Sequence, residues 1–160
     1  MSLAYLAQAG QQQQLEWLGG GTMSIVLDSA ATNGQLSVAR SRTFEGVASP
    51  YHLHTQDDEV FLMISGTARF WCGEEESELG EGGVIFLPRN VPHAYRVTSA
   101  QAEMLIICTP GGTEGLYRSV GRDRTTPRPD GWVITPERLA EGAEMVGNVV
   151  LGPPRGAPPA

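Results

Sequence analysis

Three histidines and one glutamate are the residues of this chain best suited to chemistry. The chain has 160 residues and only three histidines, and two of these, His52 and His54, are one residue apart. Side chains alternate across a β-strand, so both imidazoles would lie on one face of an extended segment. Glu59 begins the next apolar run and His93 begins a later one.

This set of side chains suits a metal ion. Three imidazoles and one carboxylate can bind a divalent transition metal such as Fe, Mn, Ni, Co, Cu or Zn. In six-coordinate geometry they would leave two positions for substrate, water or dioxygen. We therefore predict one metal ion per chain, of undetermined identity, with His52, His54, Glu59 and His93 as its ligands.

The elements that must position these residues are short β-strands. Apolar or alternating runs, each closed by Gly, Pro or Asn, cover residues 22–28, 35–44, 47–55, 59–65, 67–72, 84–88, 93–98 and 102–109, and residues 73–83 hold a short polar strand between two turns. Strands at this spacing are typical of an antiparallel sandwich or barrel. The Asn33-Gly34 pair predicts a chain reversal between the first two runs.

The pattern changes to helices after residue 112. Residues 113–121 could form two helical turns, with Thr113 as the cap, and residues 135–147 form the best helix pattern. Thr135 is suited to the N-cap and Pro136 to the first helical position.

These patterns fit one domain, residues 1–160. We expect a barrel core at about 22–109, a helical extension at about 113–147 and a flexible tail, 152–160, that is rich in Pro and Gly.

Charge and composition exclude several classes of function. Eleven basic residues, all arginine, stand against 18 acidic ones, for a net charge of −7. Such a chain repels nucleic acid and anionic membranes, and without lysine it cannot form a catalytic Schiff base. No signal-peptide pattern or membrane-spanning apolar run is present, so we expect a cytoplasmic protein with Cys72 and Cys108 reduced.

Two spaced motifs resemble those of the cupin superfamily. Gly46-x5-His52-x-His54-x4-Glu59-x6-Gly66 matches the first cupin motif, and Gly82-x5-Pro88-x-Asn90-x2-His93 matches the second in its Gly, Pro and His. Asn90 stands where the family usually has Gly, and Asn tolerates the positive φ of a turn. The resemblance implies an all-β fold, a small antiparallel jelly-roll barrel with the metal inside.

A narrower resemblance concerns activity. The segments "FLPRNVPHAYRV" and "TPGGTEGLYRSVG" are similar to bacterial flavonol (quercetin) dioxygenases, in which short helices follow the sheet. This likeness implies a metal-dependent dioxygenase that uses dioxygen on an aromatic or enolic small molecule, with Glu59 as the catalytic proton acceptor. A metal-dependent isomerase, a polyketide-type cyclase and a non-catalytic binding cupin remain open, because fold does not determine reaction.

Candidate substrate-binding residues follow from strand alternation and from the aromatic content of the strands. Phe61 and Met63 share a face with Glu59, and Tyr95 shares one with His93, while Phe70 and Phe86 are nearby aromatic candidates. An apolar lining suits a planar ligand. Sugar phosphates would need convergent positive charge, and the one obvious pair, Arg40 and Arg42, is expected on the surface.

The apolar segment 15–27 bears on assembly. It carries more hydrophobic surface than one barrel edge requires, and open sheet edges need covering. We therefore predict a homodimer formed through strand or sheet contact.

Overall fold

The structure, a computed structural model, describes residues 4–157. Twelve strands lie within these residues: β1 Gln13–Glu16, β2 Thr22–Leu27, β3 Ser37–Phe44, β4 Tyr51–His54, β5 Asp58–Ser65, β6 Ala68–Cys72, β7 Glu75–Leu79, β8 Val84–Leu87, β9 His93–Val97, β10 Gln101–Thr109, β11 Arg122–Asp123 and β12 Asn148–Gly152. The α-helices are α1, Glu114–Val120, and α2, Pro136–Met145.

The strands form two antiparallel sheets. One sheet has the order β11-β1-β2-β3-β10-β5-β8, and the other has the order β12-β4-β9-β6-β7. Buried and exposed residues alternate along β3 and β10, as expected where one sheet face covers a core. The predicted all-β jelly roll with short C-terminal helices is confirmed.

The core lies between the two sheets. Its largest fully buried side chains include Phe70, Leu15, Met23, Met63 and Leu87. Burial of one such side chain stabilises the fold by about 1.5–3 kcal/mol.

The chain reversal after β2 is present but wider than a two-residue turn. Asn33 and Gly34 both have positive φ, 53° and 77°. A short 3₁₀ helix, Ser29–Thr32, precedes them, and the carboxylate of Asp28 accepts a hydrogen bond from the Ala30 N–H at 2.9 Å.

The motif positions take the backbone conformations that their residue types suggest. Asn90 has φ 63°, as its place in the second motif predicts, and its N–H donates to the His54 carbonyl at 2.7 Å. Gly66 has φ 76°, and a Cβ there would lie 2.2 Å from the Gln101 carbonyl oxygen. Only glycine fits at this position.

The two helices begin differently. The Thr135 hydroxyl caps α2, as predicted, by accepting a hydrogen bond from the Arg138 N–H at 3.2 Å. Thr113 is the N-cap residue of α1, as predicted, but within the described residues its hydroxyl makes no capping hydrogen bond and donates to the Asp57 carboxylate at 3.1 Å instead.

Three strands were not predicted. β1 is polar and β11 has two residues, so neither shows a strand pattern. β12 continues past the expected helical extension and pairs with β4, with Asn148 opposite His54 and Val150 opposite His52. Beyond it, Arg155 lies over the Tyr51 ring at 3.9 Å. The last three residues of the tail predicted to be flexible lie outside the described part of the chain.

The N-terminal apolar segment packs inside the same chain. Leu15, Trp17, Met23 and Ile25 are all buried in the core. The excess of apolar surface from which the homodimer was predicted is therefore not found in this segment. The homodimer itself stays a prediction.

Candidate metal centre

The four predicted ligands lie together between the sheets. His52 and His54 come from β4 and His93 from β9, all in the five-stranded sheet, while Glu59 comes from β5 in the seven-stranded sheet. Their ligand atoms all lie within 4.8 Å of one another. Nε2 of His54 is 3.3 Å from Nε2 of His52, and Glu59 Oε2 is 3.3 Å from Nε2 of His93.

Strand register and one ion pair bring the two motifs together. In the β4–β9 pairing, His52 lies directly opposite His93. Next to Glu59, the Asp58 carboxylate accepts hydrogen bonds from Arg89 Nε at 3.1 Å and Nη2 at 2.8 Å. These hydrogen bonds lower the pKa of Asp58 to about 2. The loop that precedes His93 is thus attached to the start of β5.

Each imidazole has an acceptor at its Nδ1 atom. The partners are the Pro50 carbonyl for His52 at 2.8 Å, the Asp57 carboxylate for His54 at 2.8 Å and the Val91 carbonyl for His93 at 2.9 Å. Carbonyl and carboxylate oxygens accept, so each Nδ1 carries the hydrogen. All three Nε2 atoms therefore present lone pairs to the centre of the site.

These lone pairs fit a cation. His93 Nε2 is buried and has no hydrogen-bond partner within residues 4–157. Because the Nδ1 atom of His93 already holds the proton, its Nε2 contact with Glu59 at 3.3 Å brings two acceptors together. Three lone pairs and a carboxylate without a proton between them repel one another, and one divalent cation would satisfy all four.

The pKa shifts of Glu59 and His52 agree with this arrangement, whereas the shift of His54 favours a proton that a metal ion would have to displace. Burial alone would raise the pKa of Glu59, but the three imidazoles outweigh it and lower the pKa to about 2. Burial, with a smaller effect of His93, lowers the pKa of His52 to about 4. Burial also lowers the pKa of His54, but Glu59 and the Asp57 carboxylate outweigh it, so the net pKa is raised.

The metal ligands line one end of a mostly apolar cavity of about 60 Å³. Three of the predicted substrate-binding residues, Phe61, Phe70 and Tyr95, line it and pack against one another with ring centroids 5.2–6.0 Å apart. Burial and the nearby Glu59 carboxylate raise the pKa of the Tyr95 phenol, which stays neutral. Among the described residues, Glu59 is the one side chain with a fixed charge in the lining.

Two of the predicted lining residues lie elsewhere. Phe86 is 58% exposed, because on β8 the inward position belongs to Leu87, which pairs with Glu59 across the sheet. The placement of Phe86 in the cavity is therefore wrong. Met63 is buried in the core, two positions beyond Phe61, and does not line the cavity. Arg40 and Arg42 are also outside it, and both face Glu103 at 3.4–3.7 Å.

Sequence reasoning missed the contribution of the C-terminal segment to the cavity. This segment supplies seven lining residues: Thr113, Leu116, Tyr117, Leu139, Ala143, Asn148 and Val150. The short apolar run of residues 149–151, directly after Asn148, was the available signal for a strand there. Sequence reasoning also missed Asp57, because its spacing of three residues from His54 matched no recognised pattern.

An apolar groove adjoins the cavity. It has a volume of about 400 Å³ and is lined by the start of α2 and the segment 152–154, among other elements. Leu18, Pro50, Leu139 and Val150 line both spaces. These four side chains, which we call the passage residues, separate the groove from the metal ligands.

The family comparison agrees with the site. The sequence of residues 45–109, which holds both motifs and all four candidate ligands, matches the family described as the cupin domain. The matched range is shorter than the barrel, and the cavity is completed by residues on both sides of it.

A known protein resembles the chain in sequence. Quercetin 2,3-dioxygenase of Bacillus subtilis (strain 168) is 28% identical over 120 residues, which cover 75% of this chain and 35% of that protein. The chain thus spans about a third of that relative's length.

Two solved structures share the fold of the cupin domain. KdgF from Halomonas sp. has a TM-score of 0.60 at 14% identity, over 67% of this chain and 94% of that one. Pac13 of Streptomyces, described as a nucleoside dehydratase, has a TM-score of 0.56 at 17% identity, over 69% of this chain and 86% of that one. Identities this low show a common fold alone. In the described part of this chain, no helix is long and apolar enough to cross a membrane.

Proposed function

We propose that this protein is a metal-dependent dioxygenase that acts on an enolic or phenolic small molecule. One observation carries the proposal: three imidazoles and one carboxylate converge at the end of an apolar cavity whose described lining contains no arginine. A phosphorylated or dicarboxylate substrate would find no arginine there to pair any negative charge that lies away from the metal ligands. The quercetin dioxygenase relative supports the same class of substrate.

His52, His54, Glu59 and His93 would hold one divalent transition metal ion. When bound, such an ion supplies Lewis acidity toward a substrate oxygen and a redox partner for dioxygen. The chain's own carboxylate has a matching role. Glu59 is ionised, so it can accept the hydroxyl proton of an enol or phenol, and its low pKa restricts it to donors already made acidic in the site.

The aromatic lining orients the substrate. Phe61, Phe70 and Tyr95 present ring faces and edges to the cavity, against which a planar ligand can stack. Their burial excludes water from the reacting atoms, which strengthens the electrostatic interactions of the ligand with Glu59.

Size sets a further condition on the substrate. The cavity of about 60 Å³ is far smaller than the roughly 300–1,000 Å³ of a typical ligand site. The groove of about 400 Å³ provides the remaining space. A flavonol-sized substrate would place its reacting ring beside the metal ligands and its remainder in the groove, with the passage residues moving apart.

Oxygen uptake tests this function. Protein reconstituted with Fe, Mn, Co or Ni is mixed with flavonols, catechols and enolic diketones, and uptake is followed with an oxygen electrode. We expect uptake that depends on the metal and is lost in Glu59→Gln, which keeps the shape of the side chain but cannot accept the proton at a carboxylate. Metal content is measured in the same samples, so that loss of metal is separated from loss of the base.

Other outcomes would replace the proposal. If no substrate supports uptake with any metal while a compound is rearranged anaerobically, the protein is an isomerase or cyclase. Pac13, which shares the fold, is described as a nucleoside dehydratase. A nucleoside would therefore be included in the anaerobic panel. If compounds bind without conversion, the protein is a binding cupin.

A further inference from the structure

Asn148 places an amide group beside the metal ligands. It lies on β12, directly opposite His54 in the β4 pairing, and its side chain is 3% exposed. It lines the same cavity as the four ligands, although it lies 39 residues beyond the last residue of the matched cupin range, 109. Neither cupin motif includes this position.

The hydrogen bonds of His54 determine how the amide is oriented. Nδ1 of His54 donates to the Asp57 carboxylate, so its Nε2 atom is an acceptor. Asn148 Nδ2 lies 3.2 Å from that Nε2 atom and therefore donates to it. The other amide atom, Oδ1, is buried and finds no hydrogen-bond partner in the part of the chain that the structure describes.

A buried carbonyl oxygen without a partner costs free energy in the folded protein, so its retention calls for a reason. A metal ion bound to His54 would use the Nε2 lone pair, so the Asn148 N–H group would lose that hydrogen-bond acceptor. The amide would then have both a donor and an acceptor directed into an otherwise apolar cavity.

We propose that Asn148 is a ligand-binding residue that accepts a hydrogen bond from a hydroxyl group of the substrate through Oδ1 and donates to a neighbouring substrate oxygen through Nδ2. This inference rests on the proposed function for the nature of the ligand. It narrows the substrate class to compounds with two adjacent oxygens, at least one of them a hydroxyl, such as catechols and α-hydroxy enones. The acceptor oxygen selects the hydroxyl, because an apolar or carbonyl group would leave it unpaired.

The test uses zinc-loaded protein, because zinc does not change oxidation state and binding is then measured without turnover. Catechol and phenol, which differ by one hydroxyl, are titrated calorimetrically into wild type, Asn148→Leu and Asn148→Ala. The matched control is Val150→Ala, on the same strand and in the same cavity, which alters the lining without removing a polar group. Zinc content and melting temperature are recorded for every variant.

We expect Asn148→Leu to weaken catechol binding about tenfold and phenol binding less than about twofold, as one lost hydrogen bond implies. Zinc content should stay at the wild-type value, and the melting temperature should not fall, because leucine removes a buried unpaired oxygen. Asn148→Ala should show the same preference between the two ligands. Val150→Ala should change both affinities by a similar factor.

Three results would overturn the inference. They are equal losses for catechol and phenol in the Asn148 variants, no loss for either, or loss of zinc from both variants, which would make Asn148 a support for His54. The result is independent of oxygen chemistry: a selective loss of catechol binding without oxygen uptake by any metal form would reject the dioxygenase and retain Asn148 as a ligand-binding residue.

Discussion

Asp57 and His54 form a buried pair in which the carboxylate Oδ2 lies 2.8 Å from Nδ1 of the imidazole. Both side chains are almost fully buried, and the Thr113 hydroxyl donates to the same carboxylate oxygen at 3.1 Å. The carboxylate therefore sets the tautomer of one metal ligand, while the threonine connects it to the start of α1. Such partners of ligating histidines orient the ring and increase its basicity.

Replacement of Asp57 should weaken metal binding without removing a ligand. We expect Asp57→Leu to lower zinc affinity about 10–100-fold, the range for loss of such partners. Asp57→Asn, whose amide oxygen can still accept from Nδ1, should lose less, and Thr113→Val less again. Competition titrations with a zinc indicator measure this order. Unchanged affinity in Asp57→Leu would show that the pair does not support the site.

Removal of a ligand should abolish the metal centre. We expect wild type to carry one divalent transition metal per chain, and His54→Ala or His93→Ala to carry none by elemental analysis. Loss of the metal should lower stability, by about 2.7 kcal/mol where the free metal stands at 100 times its Kd. Cys72→Ser, opposite His93 on β6, is the control and should retain the metal. Full occupancy in both histidine variants would contradict the site.

Metal affinity should fall as pH is lowered. The pKa of His54 is raised, so it takes up a proton at a higher pH than a free imidazole, whose pKa is about 6.5. A protonated imidazole cannot bind the metal, so the decline should begin above about pH 6.5 and steepen below it. Glu59, with its pKa at about 2, stays ionised throughout this range. Zinc titrations between about pH 5 and 8 test this, and a constant affinity would refute it.

The passage residues should discriminate between ligands by size. Leu139→Trp adds bulk where the cavity meets the groove. We expect it to weaken binding of a flavonol at least about tenfold, since overpacking and blocked space each cost on the order of 1–3 kcal/mol. Catechol should be affected less. Glu141→Trp, on the exposed side of α2, is the matched control. Equal losses for both ligands would show that the groove holds no part of the ligand.

The homodimer was predicted from residues 15–27, which are largely packed inside the chain, so we test it at another apolar surface. Exposed apolar side chains on the outer face of the seven-stranded sheet include Leu62, Ile64, Val84 and Phe86. We expect light scattering to give twice the monomer mass, and Phe86→Glu to halve it by placing a charge on this face. Val149→Glu, on the other sheet, is the control. A monomer mass for wild type at micromolar concentration would end the prediction.

The strand pattern and the four ligands could be predicted from the sequence because they depend on local periodicity and spacing. His52 and His54 share a face because side chains alternate along β4, and the same alternation puts Phe61 on the inner face of β5 with Glu59. Alternation does not say whether the odd-numbered or the even-numbered residues of an isolated strand face inward. Phe86 was therefore assigned to the cavity, although Leu87 occupies the inward position.

Only the tertiary structure decided what surrounds the ligands. Asn148 and His54 are 94 residues apart in the chain, and their contact depends on β12 adding to the edge of β4, which no local pattern specifies. The hydrogen bond between Thr113 and Asp57 is also a long-range contact, because 56 residues separate the start of α1 from Asp57. The chemistry of the ligand set lies in residue types and short spacings, whereas cavity size and polar contacts arise from long-range packing.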